Sequence, residues 1–194
     1  MLKGILQSDL FYCNHLGVSE SDARDIMAFS VRDSSGEGLV SYIQHYAFPD
    51  EESGIMRTYV VRDIRSLELV AYFSLKAGLI SLNEVQTKDG AVFDTLPGVE
   101  LANFAVNNTY IHRHPNLKGV GTVIFDKFIL PIVTDTAERI GIKLIYIFAL
   151  PFERLLRRYQ QYGFQRLESP YEDELHKRLK PQYDDGCIFM YQML

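Results

Sequence analysis

The chain has 194 residues, close to one domain at roughly 150 residues each, and it reads as a single domain over 1–194. Apolar residues make up 47% and charged residues 23%, which allows a sizeable core and excludes intrinsic disorder. The net charge of −5 excludes a general polyanion binder, yet 107–166 holds nine Lys and Arg against four Asp and Glu, so this segment is +5 and the rest −10. That asymmetry points to a local anion site, better suited to a phosphorylated small molecule than to a long nucleic acid.

At the N-terminus, Asp9 interrupts the apolar stretch and no small-residue cleavage site follows, so no secretory leader is expected and the expected compartment is the cytoplasm. No run approaches the ~20 apolar residues of a membrane span. Cys13 and Cys187 belong to no CxxC pair and are expected to be reduced core residues. Ser19-Glu20-Ser21-Asp22 reads as a helix start, and Ala23, Ile26, Met27 and Ser30 follow at helical spacing, predicting a helix over 20–30. Leu39, Val40, Ile43, Tyr46 and Ala47 predict a second over 37–48, ending before Pro49.

The period then changes to two. Met56 to Arg62, a turn at Asp63 to Ser66, and Leu67 to Leu75 predict an antiparallel hairpin. Residues 78–98 are mixed, with a turn signal at Asp89-Gly90 and a stop at Pro97-Gly98, and are expected as an insertion over the sheet. Val99 to Val106 is a further strand, whose alternation puts Glu100 on one face with Ala102, Phe104 and Val106 unless a bulge flips it. Ile124, Phe128, Ile132, Val133 and Thr136 share one helical face that stops at Gly141. The unbroken apolar run Ile142 to Leu150 suits a central strand covered on both faces. A basic helix over 152–162 and a last strand near 186–193 complete an α/β (α+β) chain, with helices packed on both faces of a mixed central sheet. That last strand, read as a sheet edge, either pairs across a homodimer or ends in solvent.

The segment with chemical content is Asn116-Leu117-Lys118-Gly119-Val120-Gly121-Thr122, between a strand and a long helix. Glycine lets backbone N–H groups approach a ligand, and a helix start adds donors and partial positive charge, so this is either a phosphate cradle or a tight turn. No G-K-[ST] closes it, so it is not a Walker loop; a dinucleotide fingerprint would need a third glycine earlier in the chain. Farther on, Leu155, Leu156, Tyr159 and Tyr162 line a helix that stops at Gly163-Phe164.

Together, the strand ending in Phe104-Ala105-Val106, the loop with Gly119 and Gly121, the long helix, the buried strand and Arg158-Tyr159-Gln160-Gln161-Tyr162-Gly163-Phe164 resemble the GNAT family of acetyl-CoA-dependent N-acetyltransferases. The likeness covers about 54–167, and the helices at 20–48 fall where that family places its substrate side. It implies a GNAT-like sheet and direct transfer of an acetyl group from acetyl-CoA to a primary amine. The amides of Lys118, Gly119, Val120, Gly121 and Thr122 would bind the CoA pyrophosphate, and Phe104, Ala105 and Val106 the pantetheine arm. The Val106 N–H would polarise the thioester carbonyl. Tyr159 matches the tyrosine that protonates the departing thiolate, and Glu100 stands where one branch of the family carries its general base. Without the resemblance, Tyr159 reads as a packed aromatic and Glu100 as a strand-end carboxylate in solvent. Two positions depart from the family pattern: Asn116 replaces the Gln or Arg that opens the loop, and Pro151 replaces the Asn or Asp after the buried strand.

His112-Arg113-His114 has no carboxylate or cysteine at ligand spacing, so a basic loop edge is favoured over a metal site and no metal is expected. Arg154, Arg157 and Arg158 could meet the CoA 3′-phosphate, an RNA or only water. Tyr72 to Gly78 and Ile140 to Phe164 are similar to the toxin branch that acetylates aminoacyl-tRNA, although that branch is usually basic, and Asn103 and Asn116 stand where Arg or Gln would be expected. Three readings follow: an N-acetyltransferase of unspecified amine, a tRNA-directed toxin, and a CoA-binding module without turnover. No membrane partner is expected.

Overall fold

Period-two runs of β-branched and aromatic residues become strands here, and 3–4 spacings become helices, in a computed structural model that describes residues 6–88, 90–178 and 186–194. The order is β1 (Leu6–Gln7), β2 (Phe11–His15), α1 (Asp22–Asp25) with a 3-10 turn at Ile26–Ala28, α2 (Glu37–Ser41), a π segment at Tyr42–Tyr46, α3 (Ala47–Ser53), β3 (Arg57–Asp63), β4 (Leu69–Thr87) and β5 (Gly90–Val106). Then come α4 (Asn108–Arg113), α5 (Val120–Ile124), a π segment at Phe125–Ile129, α6 (Leu130–Arg139), β6 (Leu144–Ala149), α7 (Glu153–Gln161), β7 (Gln165–Arg166), α8 (Tyr171–Arg178) and β8 (Ile188–Met193). The chain divides into two compact units. One comprises the residues up to Lys76 with Ala102–Ile132, the other Ala77–Leu101 with Val133–Leu194; β4 and β5 run through both.

In the first unit β1, β2, β3 and β4 pair antiparallel in that order, with Cys13 opposite Val61 and Val61 opposite Ala71. One face buries Val60, Leu69, Tyr72 and Ala105 against Ile26, Phe29, Tyr42, Ile43 and Ala47 from the α1 to α3 region. Tyr72 meets Phe29 edge-on at 5.1 Å and donates its hydroxyl to the Leu39 carbonyl at 2.6 Å. Each aromatic hydroxyl buried here therefore needs, and finds, an acceptor.

Two helices run past prolines. The sequence predicts an end before Pro49, but the helical path continues to Ser53, and the helix that begins at Val120 passes Pro131. In both, a π segment lies just ahead of the proline: Ala47 N–H bonds the Tyr42 carbonyl, and Leu130 N–H bonds the Phe125 carbonyl. The wider turn relieves the carbonyl against which a proline ring would otherwise press. The helix predicted over 20–30 is shorter, Asp22–Ala28.

In the second unit β5, β6, β8 and β7 are neighbours in that order. β6 pairs parallel with β5 and antiparallel with β8, which confirms a mixed α/β arrangement. β6 is buried almost throughout, as its unbroken apolar run requires. Ile80, Leu144, Tyr146, Leu175 and Phe189 form a core cluster on one side. Two expectations change. The insertion expected over 78–98 is the continuation of β4 and the start of β5; of its turn signal, Asp89 lies outside the described residues. The strand expected at the sheet edge, β8, is an inner strand bordered by β7. Cys13 and Cys187 are both buried. Among the described residues no helix is long and apolar enough to cross a membrane.

A buried ion triad fixes α1 to β3. Arg62, only 3% exposed, donates to Asp22 at 2.7 Å, to Asp25 at 2.8 Å and to the Leu67 carbonyl at 2.9 Å. Asp22 is fully buried and also accepts from the Gly17 amide at 2.8 Å. Removing the guanidinium strands two carboxylates, so Arg62→Met should cost about 3–5 kcal/mol in urea unfolding. Burial opposes ionisation of Asp25, but hydrogen bonds from Ser21, Arg62 and Arg24 outweigh it and hold the carboxyl below its ordinary value. A folded value below the unfolded one stabilises above the ordinary carboxylate range and is lost as pH falls through the folded value. The melting temperature should therefore drop on acidification, and Asp25→Asn should flatten that drop.

Candidate functional site

The anion-binding candidate is built where β5 leaves its sheet. Asn107 closes the strand: its amide donates to the Val70 carbonyl at 2.8 Å and its Nδ2 to the Leu69 carbonyl at 2.8 Å. Its Oδ1 accepts from the Thr109 amide at 3.1 Å, the N-cap geometry of α4, and from the Ser30 amide at 3.3 Å. α4 was not foreseen in the sequence, and it separates the β5 end from the glycine loop. After it, the Leu117 amide donates to the His114 carbonyl at 3.0 Å.

Gly119 then turns the chain into the helix in the left-handed region, φ +68°, as the N-cap residue of α5. No heavy atom lies within 4 Å of the point where its Cβ would sit, so the space above it is open. The Gly119 carbonyl accepts from Val123 at 3.0 Å. The ladder starts there, and no side chain caps this end. Helix amides that precede the first ladder bond point out of the N-terminus, and the helix that begins here is continued to Arg139, so the positive end of its dipole falls on this loop. Lys118, Gly119 and Thr122 are exposed, whereas Val120 and Gly121 are buried and seat the turn on the core. In the same unit Ala105 is buried and Phe104 and Val106 are half-buried at the β5 end. The β5–β6 ladder covers Gly98 to Glu100 opposite Leu144 to Tyr146, and β5 runs on past it to Val106.

Glu100 lies in the second unit, not in bulk solvent. The Tyr146 hydroxyl donates to its Oε2 at 3.4 Å. Burial and the neighbouring Glu100 charge both push the Tyr146 phenol up, so it remains a donor. Two glycines make room for this ring. A Cβ at Gly78 would overlap the Tyr146 hydroxyl and stand 2.9 Å from its Cζ, and one at Gly98 would stand 2.8 Å from Leu144 Cδ1 and 3.1 Å from Tyr146 Cδ1. Burial along β5 alternates from Val99, keeping Glu100, Ala102, Phe104 and Val106 on the less buried side, as the sequence predicted.

Tyr159 is buried on α7, with its ring edge-on to Tyr162 at 6.0 Å and to Phe164 at 5.5 Å. No hydrogen bond joins its hydroxyl to another described residue. Burial pushes the phenol well above its ordinary value. On the same helix Arg154, Arg157, Arg158 and Gln161 line an open groove of about 320 Å³, in which the one carboxylate, Glu153, pairs with Arg157. The His112-Arg113-His114 stretch ends α4, and Arg113 and His114 bond Glu68. Among the described residues no group of His, Cys, Asp or Glu could hold a metal ion. Asn103 is buried, with its Nδ2 4.0 Å from the Met56 sulfur. Asn107, Glu68 and Tyr146 escaped the sequence reading. An Asn two residues before a Thr at a strand end was the legible signal for Asn107; the other two act through contacts distant in sequence.

No known protein family's sequence pattern matches the chain, and no curated protein matches it. Solved structures do. The chain is similar to a tyrosine-to-phenylalanine mutant of KacT at 14% identity, over 93% of this chain and 94% of that one, with a TM-score of 0.64. It is similar to AtaT complexed with acetyl-methionyl-tRNAfMet at 15% identity, over 92% and 93%, with a TM-score of 0.63. A third, AtaTR bound with AcCoA, is 16% identical over 94% and 93%, with a TM-score of 0.60. At such identities the likeness shows the fold, the GNAT-like arrangement that the sequence resemblance implied.

The glycine at 78 generates a test. Gly78→Ala forces the buried Tyr146 ring aside and should destabilise by about 1–3 kcal/mol in thermal or urea unfolding. Adding Tyr146→Phe removes the overlapping oxygen and should recover part of that loss.

Proposed function

We propose that the whole chain is one acetyl-CoA-dependent N-acetyltransferase domain, active in the cytoplasm, which moves an acetyl group directly to a primary amine. Gly119 carries this reading: a left-handed glycine with open space above it, at the head of a helix continued to Arg139. Backbone donors at such a turn suit a pyrophosphate, and the amides of Lys118 to Thr122 are the ones assigned to it. The similar AtaTR structure is bound with AcCoA, which supports the same cofactor here. The loss of the usual Gln or Arg at Asn116 removes a side-chain contact and leaves the backbone donors in place.

The backbone of Phe104, Ala105 and Val106, past the last β6 pairing, is the stretch assigned to pantetheine. In the reaction the amine first loses a proton, directly or through water, to Glu100. Its lone pair attacks the thioester carbonyl, whose oxygen takes up negative charge against the Val106 N–H. The C–S bond then breaks and the sulfur leaves with the electron pair, accepting a proton from Tyr159, while the nitrogen gives up its second proton to the Tyr159 oxygen, directly or through water. The products are an amide and free CoA. Burial keeps Tyr159 protonated at neutral pH, which suits a donor and excludes it as the base.

A second reading makes the acceptor the amino group of an aminoacyl-tRNA. It is supported by the similar AtaT structure, complexed with acetyl-methionyl-tRNAfMet. Transfer from acetyl-CoA with a labelled acetyl group into lysate, separated into protein, RNA and small molecules, decides between them. Label in RNA selects the tRNA reading, and label in protein or metabolites selects another amine. No label, although acetyl-CoA is bound, selects a cofactor-binding module without turnover.

Two variants test the assigned roles. Tyr159→Phe should lower kcat on the order of a hundredfold while leaving cofactor binding nearly unchanged, since it removes the proton donor and keeps the ring. Glu100→Gln should lose activity at neutral pH and recover much of it at high pH, where the amine is already neutral; a loss independent of pH would assign Glu100 to structure.

A further inference from the structure

The helix α4, which separates β5 from the glycine loop, is fastened at both ends to the same short stretch of chain. At its start Asn107 bonds the Leu69 and Val70 carbonyls, both at 2.8 Å. At its end Arg113 donates to Glu68 Oε1 at 2.6 Å, and His114 Nε2 stands 3.0 Å from Glu68 Oε2. A second stay runs parallel: the Tyr110 hydroxyl donates to Asp63 Oδ2 at 2.6 Å, and its ring stacks on His114 at 4.2 Å. Asp63 and Glu68 bracket the turn between β3 and β4 and are joined by a bond from the Asp63 amide to the Glu68 carbonyl at 3.1 Å. The His114 carbonyl in turn accepts from Leu117 at 3.0 Å, two residues before Gly119. A continuous path of bonds thus leads from Glu68 through His114 and Leu117 to the loop, all within one unit.

We infer that Glu68 is a positioning residue for the cofactor loop: by clamping Arg113 and His114 it fixes the point from which residues 115–119 start, and so the direction of the amides at the head of α5. The inference rests on the proposed reading of that loop as the pyrophosphate site. An ion pair as exposed as Arg113 with Glu68 contributes little to global stability. A loop whose donors must converge on one ligand is far more sensitive to where it begins. Its loss therefore registers in affinity for the cofactor before it registers in the fold.

The test uses the full chain, Glu68→Ala, Glu68→Gln and Arg113→Met, with two readouts. Without cofactor, hydrogen exchange at the Leu117 amide, which bonds the His114 carbonyl, should quicken in Glu68→Ala while the β-strand amides and the melting temperature stay near wild type. With CoA as the probe, its Kd and the KM for acetyl-CoA should rise about five- to tenfold in Glu68→Ala with kcat within about twofold, as expected when a ground-state binding contact is lost. Glu68→Gln, which keeps an acceptor, should fall between, and Arg113→Met should repeat the effect by removing the other partner. Unchanged exchange and unchanged CoA affinity in Glu68→Ala would overturn the inference. Faster exchange in Glu68→Ala, with a wild-type protein that itself binds no CoA, would overturn the cofactor reading of the loop while leaving the clamp standing.

Discussion

A strand can leave its sheet and start a helix only if the groups it exposes find other partners, and in this chain one side chain and one amide meet that demand at Asn107. Five hydrogen bonds converge on this residue: two bind it to β4, one caps α4, one holds Ser30, and one, from the Ile111 amide to its carbonyl, opens the α4 ladder. The β5 tail, the start of α4 and the segment after α1 are therefore located by a single buried amide. An apolar or longer residue there would leave strand-end carbonyls and helix-start amides unsatisfied, a cost of about 1–3 kcal/mol for each group.

That anchor makes the chemistry local. Backbone amides at the head of a helix carry fixed partial charge whatever the charge of the rest of the chain, so a net charge of −5 does not oppose the anion site proposed at this loop. The π segments carry two helices past Pro49 and Pro131, so the helix that begins at the glycine loop extends to Arg139. Gly78 and Gly98 act on a smaller scale, clearing space for the Tyr146 ring beside Glu100.

Much of this was legible in the sequence. The β3–β4 hairpin, the buried β6 and the α7 helix follow from period and composition, and the glycine loop from its spacing before a long apolar helical face. The face shared by Glu100, Phe104 and Val106 follows from strand alternation. What escaped depends on pairing or on local relief that period does not record. Pro49 reads as a stop because nothing in residue spacing announces a π turn. Residues 78–98 read as an insertion because Asp89-Gly90 and Pro97-Gly98 are loop signals and the mixed residues around them carry no clear period. The inner place of β8 depends on the two-residue strand β7, too short to carry a pattern. Glu68 drew no attention because its partners lie 45 and 46 positions away.

The central claim, that backbone amides at the head of α5 bind the pyrophosphate of CoA, is tested most directly by an amide-resolved NMR titration of the wild-type protein with CoA and, separately, with pantetheine. The account predicts large shifts at Lys118 to Thr122 that saturate together with CoA and are absent with pantetheine, which lacks the phosphates. CoA binding that leaves these amides unmoved, or equal shifts with both ligands, would contradict it.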